Sequence, residues 1–367
     1  MKKLSLILTL ALVVSLLAGC AGTPVVYYTD CTCPVEAHAA PAAPAEPVVP
    51  LPDPTEGPVA AGSEVKTGLY ISAGVGDSKS AAGEENGEAK YDVTMVGVLV
   101  DENGVITACT IDSLGTSVAF DAAGAIASDL TAPIQTKNEL GENYGMVAWG
   151  GAIAEWDAQA AALASYAVGK TVEELRTGAV NESGYAADAD LASSATIYLG
   201  GYVSAIEAAV ANAQALGAQA GDELRLAAIP SVKKSTPADA ENAGLAQLDM
   251  DVAVLTLNGE TITSCVIDSV QAKVNFDASG AVTSDVSAPV ATKNQLGEGY
   301  GMVAWGGAVA EWNEQAASFA SYVTGKTAAE VSGIAVDEGT KPTEADLVSS
   351  VTIAIGGFQA LIAKAAQ

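Results

Sequence analysis

The sequence predicts an α+β protein: two tandem copies of a small antiparallel sheet packed with helices, after a signal peptide and a disordered linker. Three observations carry this. "TKNELGENYGMVAWGGAIAEW" at 136–156 returns as "TKNQLGEGYGMVAWGGAVAEW" at 292–312. The offset is 156 residues and holds from Ile106/Ile262 to Gly201/Gly357, a period that marks tandem globular domains rather than a solenoid of short repeats. Each copy opens with β-branched runs around a glycine turn and closes with apolar residues at helical spacing.

Residues 1–19 read as a signal peptide: Lys2 and Lys3 form a basic start, and Leu4 to Leu17 is an apolar run. "LAGC" then ends at Cys20, the small-residue site of a bacterial lipoprotein, so Cys20 is expected to carry lipid and tether the chain to the membrane on its extracytoplasmic side. The apolar run is too short to favour a permanent membrane span. Residues 20–63 are rich in Pro, Ala and Glu without apolar periodicity and read as an extended linker. Cys31 and Cys33 in "DCTCP" are open to a disulfide or a weak metal site. His38, the only histidine, falls in this linker, which excludes Ser-His-Asp and Cys-His catalysis from the folded part.

The copies are placed at 64–213 and 214–367. In the first, "KYDVTMVGVLVDENGVITACTID" reads as a hairpin about Asn103-Gly104; in the second, "MDVAVLTLNGETITSCVID" does the same about Asn258-Gly259. Cys109 and Cys265, one in each hairpin, read as small buried hydrophobes. Ile153, Trp156, Ala160, Leu163 and Ala167 then share a helix face. Thr171–Glu174 and Thr327–Glu330 have the spacing of capping boxes. Across the Gly200–Gly201 break, Ile197, Tyr202, Ile206 and Val210 can share the face of a last helix.

Charge and motifs exclude several functions. A net charge of −28, from 44 acidic and 16 basic residues, repels phosphate backbones and argues against nucleic-acid binding. "AVGKT" and "VTGKT" lack the first glycine of a phosphate loop, having Ala164 and Ala320 there, and their Gly-Lys pairs read as helix C-caps. The duplicated carboxylates Asp112/Asp268, Asp121/Asp277, Glu142/Glu298 and Glu155/Glu311 could form an acid–base pair or bind calcium. No EF-hand spacing accompanies them, no metal ligand is assigned, and in so acidic a chain they read as solvated faces.

One heptad stands apart. Asp190-Leu-Ala-Ser193-Ser194-Ala195-Thr196 resembles D-x-x-S-G-A-T, the flavinylation motif of the FMN-binding domain family, and Asp346-Leu-Val-Ser349-Ser350-Val351-Thr352 fits the same frame. Ser194 and Ser350 stand where the family has glycine. "KTGLYISAG" at 66–74, the hairpin and the closing helix match the family outline. The resemblance implies FMN joined through its phosphate to Thr196, and to Thr352 in the second copy, by a flavin transferase. A helix start beyond the threonine would suit a phosphate, and Ser193, Ser194 and Ala195 are small enough for close approach. Tyr144, Trp149 and Trp156, with Tyr300, Trp305 and Trp312, are candidates for a cleft around the ring; Trp156 and Trp312 equally suit core packing. Thr196 and Thr352 equally suit a strand position or a helix N-cap. The expected function is electron carriage between a membrane redox donor and an external acceptor rather than turnover catalysis. The alternative is a non-redox binding or structural lipoprotein at the surface, on a degenerate form of the same fold.

Overall fold

β1 (Glu64–Gly74), β2 (Gly87–Val100) and β3 (Ile106–Phe120) run antiparallel in sequence order. The computed structural model describes residues 62–367. The signal peptide, Cys20, Cys31, Cys33, His38 and almost all of the linker lie outside the described residues. β2 and β3 turn about Asn103-Gly104, where Gly104 takes the positive φ (80°) that the turn requires. Asp101 ties the turn by accepting the Asn103 and Val105 amides at 2.9 and 2.8 Å.

Helices follow: α1 (Lys137–Leu140), α2 (Met146–Gly150), α3 (Trp156–Ala167), α4 (Val172–Gly178), α5 (Ala189–Ser194) and α6 (Gly200–Ala211). β4 (Gln214–Gln219) then pairs with the free edge of β1, giving the sheet order β3-β2-β1-β4. β4 completes the first sheet although it lies beyond residue 213, because the chain leaving α6 passes that edge on its way to the second copy. The second copy forms β5 (Glu223–Ser231), β6 (Gly244–Asn258) and β7 (Thr261–Phe276) in the order β5-β6-β7. Its helices are α7 (Lys293–Leu296), α8 (Met302–Gly306), α9 (Trp312–Val323), α10 (Ala328–Ser332), α11 (Ala345–Val348) and α12 (Gly356–Ala365).

Each sheet carries its helices on one face. Leu163 and Ala167 of α3 and Val203 and Ile206 of α6 pack on Val96, Val98 and Ile106. Phe319 of α9 and Leu361 and Ile362 of α12 do the same on Leu255 and Ile262. The opposite faces of the two sheets pack against each other. Ile71, Met95 and Leu114 share one buried cluster with Met250, Val252, Val254 and Val270. The layers therefore run helix, sheet, sheet, helix. Sheets covered on both faces need strands without polar alternation, and Met95 to Val100 is buried at every residue.

Equivalent residues meet across the sheets. Phe120 and Phe276 stack with centroids 3.9 Å apart and planes within 4°. Gly280 O accepts from Ala81 N, and Gly124 O accepts from Ala238 N, both at 2.8 Å. The two copies thus face each other with approximate twofold symmetry. Gly97 sits where a Cβ would come within 2.7 Å of Val254, so the close approach of the sheets requires glycine there.

Both capping boxes read from the sequence are present. Gly169 and Gly325 end α3 and α9 in the left-handed region (φ 81° and 86°). Ile153, expected on the α3 face, lies before that helix and is 57% exposed. The helix starts later because Glu155 is its N-cap and turns its carboxylate back to the Met146 and Val147 amides, at 2.8 and 3.0 Å. No helix among the described residues is long and apolar enough to cross a membrane.

Candidate functional site

Thr196 lies in the link between α5 and α6, neither in a strand nor at a helix N-cap. Asp188 caps α5 by accepting the Asp190 and Leu191 amides, and Leu191 and Ala195 then turn into the core. Ala195 is extended (φ −138°, ψ 114°), which carries Thr196 out to the surface. From below, α3 supplies Gln159, which is fully buried. Its Oε1 accepts from Thr196 N (2.8 Å), Thr196 Oγ1 (3.3 Å) and Ile197 N (3.1 Å), while its Nε2 donates to Ala154 O (2.8 Å). The amide is satisfied at both ends, so it fixes a link that has no regular structure of its own. Gln315 holds Thr352 N, Thr352 Oγ1 and Ile353 N in the same way, at 2.8, 3.1 and 3.2 Å.

Immediately beyond Thr196 the chain borders a cavity of about 460 Å³. Ile197, Tyr198 and Tyr202 line it from the link and α6, and Tyr144, Met146 and Trp156 from the opposite side; Ser72 and Thr94 come from the sheet. Trp156 is only 3% exposed and donates its Nε1 to Tyr202 Oη at 3.1 Å. Lys137 Nζ stands 5.0 Å from the Trp156 ring centroid and 5.1 Å from that of Tyr144. Among the described residues Lys137 forms no ion pair, so its charge is offset chiefly by ring faces. α6 has no side-chain cap, and Gly201 in its first turn borders the same cavity. The Leu199 and Gly200 amides donate to Gly184 O, at 2.8 and 3.0 Å, which leaves the Gly201 and Tyr202 amides at the positive end of a 12-residue helix. Aromatic walls, one cation and a helix start suit a planar ring with an anionic tail.

Other residues of the heptads lie apart from this cavity. Ser193 and Ser194 are exposed at the end of α5 and bond back to Asp190 O, at 2.7 and 3.4 Å. Asp190 and Asp346 are exposed on short helices, and Ser349 and Ser350 follow α11. Ala195 points into the core. The expectation that Ser193, Ser194 and Ala195 line a close approach is therefore corrected: the helix that faces the cavity starts at Gly200, four residues after Thr196. The serines at the family's glycine positions carry no backbone strain, since the one described non-glycine residue with positive φ is Thr340.

Trp149 and Trp305 are corrected as well. They are 91% and 90% exposed and line neither the cavity beside Thr196 nor the groove between the copies. Each indole lies over the glycine that opens its short helix, Gly145 or Gly301, where a Cβ would collide with the ring. Tyr144 lines the cavity; Tyr300 is half-buried against the core of the second copy.

The second copy does not repeat the site. Lys293, Tyr300, Met302, Trp312 and Ile353 hold the matching places, but Ala354 replaces Tyr198 and Phe358 replaces Tyr202. By strand register Asp251 replaces Thr94, since Thr94 pairs with Ser113 and Asp251 with Ser269. Burial pushes the Asp251 carboxyl up and the Lys293 ammonium down, while each acts on the other in the opposite sense. A carboxylate beside the lysine makes this copy the poorer host for an anion.

The duplicated carboxylates are not solvated faces in the main. Asp112 and Asp268 are buried and accept backbone amides, Ser113 N and Asn138 N in the first copy and Ser269 N and Asn294 N in the second. Asp121 and Asp277 tie turns, and Glu155 and Glu311 hold the starts of α2 and α8. In so small a fold with many short helices, carboxylates supply the caps. Burial pushes the Cys109 and Cys265 thiols up to about 12, so both stay protonated at neutral pH.

No family model, curated protein or solved structure matches this chain.

Gln159, Gln315, Lys137, Tyr198 and Tyr202 are the site residues missed from the sequence. A signal existed for the glutamines: "EWDAQAA" and "EWNEQAA" place a polar amide three residues after Trp156 or Trp312, inside an otherwise apolar helix stripe. The lysines recur in the duplicated "TKN".

Proposed function

We propose that the first copy binds FMN in the cavity beside Thr196, and that the chain is a lipid-anchored extracytoplasmic electron carrier. The observation that carries this reading is the link itself: an exposed threonine followed directly by Ile197 and Tyr198, which line an aromatic cavity. Tyr144, Trp156, Tyr198 and Tyr202 offer faces and edges to an isoalloxazine ring, Lys137 and the start of α6 offer charge to its phosphate, and Thr196 offers the hydroxyl for attachment by a flavin transferase. Bound FMN supplies reversible electron transfer. Thr352 is the weaker site, because Asp251 adjoins Lys293 and Ala354 lacks the aromatic wall that Tyr198 supplies. Lipid on Cys20 would hold the carrier near a membrane redox donor while the linker lets it reach an external acceptor.

The test is the intact mass and visible spectrum of the protein from its native host, beside Thr196→Ala and Thr352→Ala. The expected result is a yellow protein with the mass of added FMN, lost in Thr196→Ala and kept in Thr352→Ala. A colourless chain of unmodified mass that takes up no added FMN would overturn the reading.

A second reading, a non-redox surface binding module, rests on Trp149 and Trp305. Two nearly naked indoles on the identical segment "GMVAWGGA" pack only on the glycine of their own turn, and exposed flat aromatic faces serve as contact platforms. In a Cys20→Ala background, which removes the expected lipid tether, Trp149→Ala with Trp305→Ala should abolish binding of the protein to isolated cell envelopes while leaving the unfolding midpoint unchanged. Unaltered binding in that variant would remove this reading.

A further inference from the structure

A second groove lies between the copies, about 830 Å³ in volume and within the range of small-molecule sites. β1 and β4 of the first sheet form one wall, and β7 and α9 of the second copy form the other. Its lining has no lysine, arginine or histidine. Instead it presents acceptors. Asn212 and Asn294 commit their Nδ2 groups to Leu69 O and Ile267 O, both at 3.0 Å, which leaves each Oδ1 open. Asn313 Oδ1 is buried without any partner. Asp268 adds a carboxylate. Between these lie aliphatic surfaces from Leu69, Ile71, Val266 and Ala320.

The approximate symmetry supplies an internal comparison. At the matching place on the other side of the molecule a lysine side chain lies across the interface. Lys364 of α12 reaches in, donates to Ala228 O at 2.7 Å and pairs with Glu139. By the 156-residue offset, Lys364 corresponds to Ala208 of α6, and Glu139 to Gln295. By strand register Ala228 corresponds to Ile71, whose carbonyl Gln295 Nε2 occupies at 3.3 Å. The first groove is thus the same interface without its lysine; its open acceptors are the amide oxygens of Asn212, Asn294 and Asn313, while Asp268 contributes charge with its carboxylate already accepting the Ser269 and Asn294 amides.

We propose that the groove between the copies binds a small organic cation, an alkylammonium or alkylguanidinium, in the place that Lys364 takes on the opposite side. The unpartnered Asn313 Oδ1 and the open amide oxygens favour a ligand rich in N–H groups, the lack of any cationic side chain in the lining, the Asp268 carboxylate and the net charge of −28 favour a positive one, and the aliphatic walls cover its methylene chain. The site is separate from the cavity beside Thr196 and does not depend on the cofactor reading.

Calorimetric titration of the full chain at physiological salt, with agmatine, cadaverine and the dianion glutarate as probes, tests this. Agmatine and cadaverine should bind one per chain and glutarate should not. Ala208→Lys should weaken binding at least tenfold by installing the lysine of the opposite side, and Asn313→Asp should strengthen it severalfold. If Ala208→Lys lowers the unfolding midpoint, Asn313→Asp and Asn313→Ala carry the test, moving affinity up and down respectively. Absence of binding overturns the proposal, and so does binding that these variants leave unchanged, which would be cation condensation on the acidic surface.

Discussion

Gln159 and Gln315 show how one side chain can define a site. Each is fully buried, and each accepts from three donors of a link that has no ladder or helix to hold it. Gln159→Leu keeps the volume but strands the Thr196 and Ile197 amides, and a buried donor without a partner costs about 1–3 kcal/mol. Urea unfolding should show Gln159→Leu destabilised by roughly 2–4 kcal/mol, with the loss smaller in Gln159→Met only if water reaches the link. Asp112 makes a prediction of the opposite kind. Burial pushes its carboxyl above the ordinary value near 3.8, against the pull of Thr136, Asn138 and Ser113. A folded pKa above the unfolded one means that the folded state binds the proton more tightly. Its contribution to stability therefore falls as pH rises through the interval between the two values. Asp112→Asn should flatten that part of the stability profile, read from urea midpoints at closely spaced pH values from the ordinary carboxylate range upward.

Elements were legible where the signal was local. The Asn-Gly turns, the Thr171 and Thr327 capping boxes and the left-handed glycines that end α3 and α9 depend on a few neighbouring residues, and all stand where the sequence puts them. The start of α3 was not legible, because it is set by Glu155 reaching nine residues back to Met146. The setting of Thr196 was not legible for the same reason, since its partner lies 37 residues away on another helix. α2 is the clearest case of an element held by one distant group. It has five residues, no buried side chain and no side-chain cap of its own. Glu155→Ala removes the acceptor of its first two amides, and so short a helix cannot persist on propensity alone. Hydrogen exchange should accelerate at Met146 and Val147 while the β2 and β3 amides keep their protection. Equal acceleration throughout would mean that Glu155 supports the whole copy rather than α2.

At the scale of the molecule, the duplication is best understood through the face that each sheet lacks. Helices cover one side of β1–β3 and one side of β5–β7, and each sheet presents a second apolar face that no helix of its own copy covers. The run Met95 to Val100, with no polar alternation, already carried this information, because a half-exposed strand would alternate. The partner for that face is the other copy, and the seam closes on the stacked Phe120–Phe276 pair. Two consequences follow from one shared core. The copies should unfold together, so calorimetry should give a single transition whose calorimetric and van't Hoff enthalpies agree. Phe120→Ala and Phe276→Ala should each cost about 3–5 kcal/mol, as for other large-to-small changes at buried aromatic sites. The double variant should cost less than the two losses added, because both singles break the same stack. Two separated transitions, or strictly additive losses, would mean that each copy holds its own core and that the seam is only a contact.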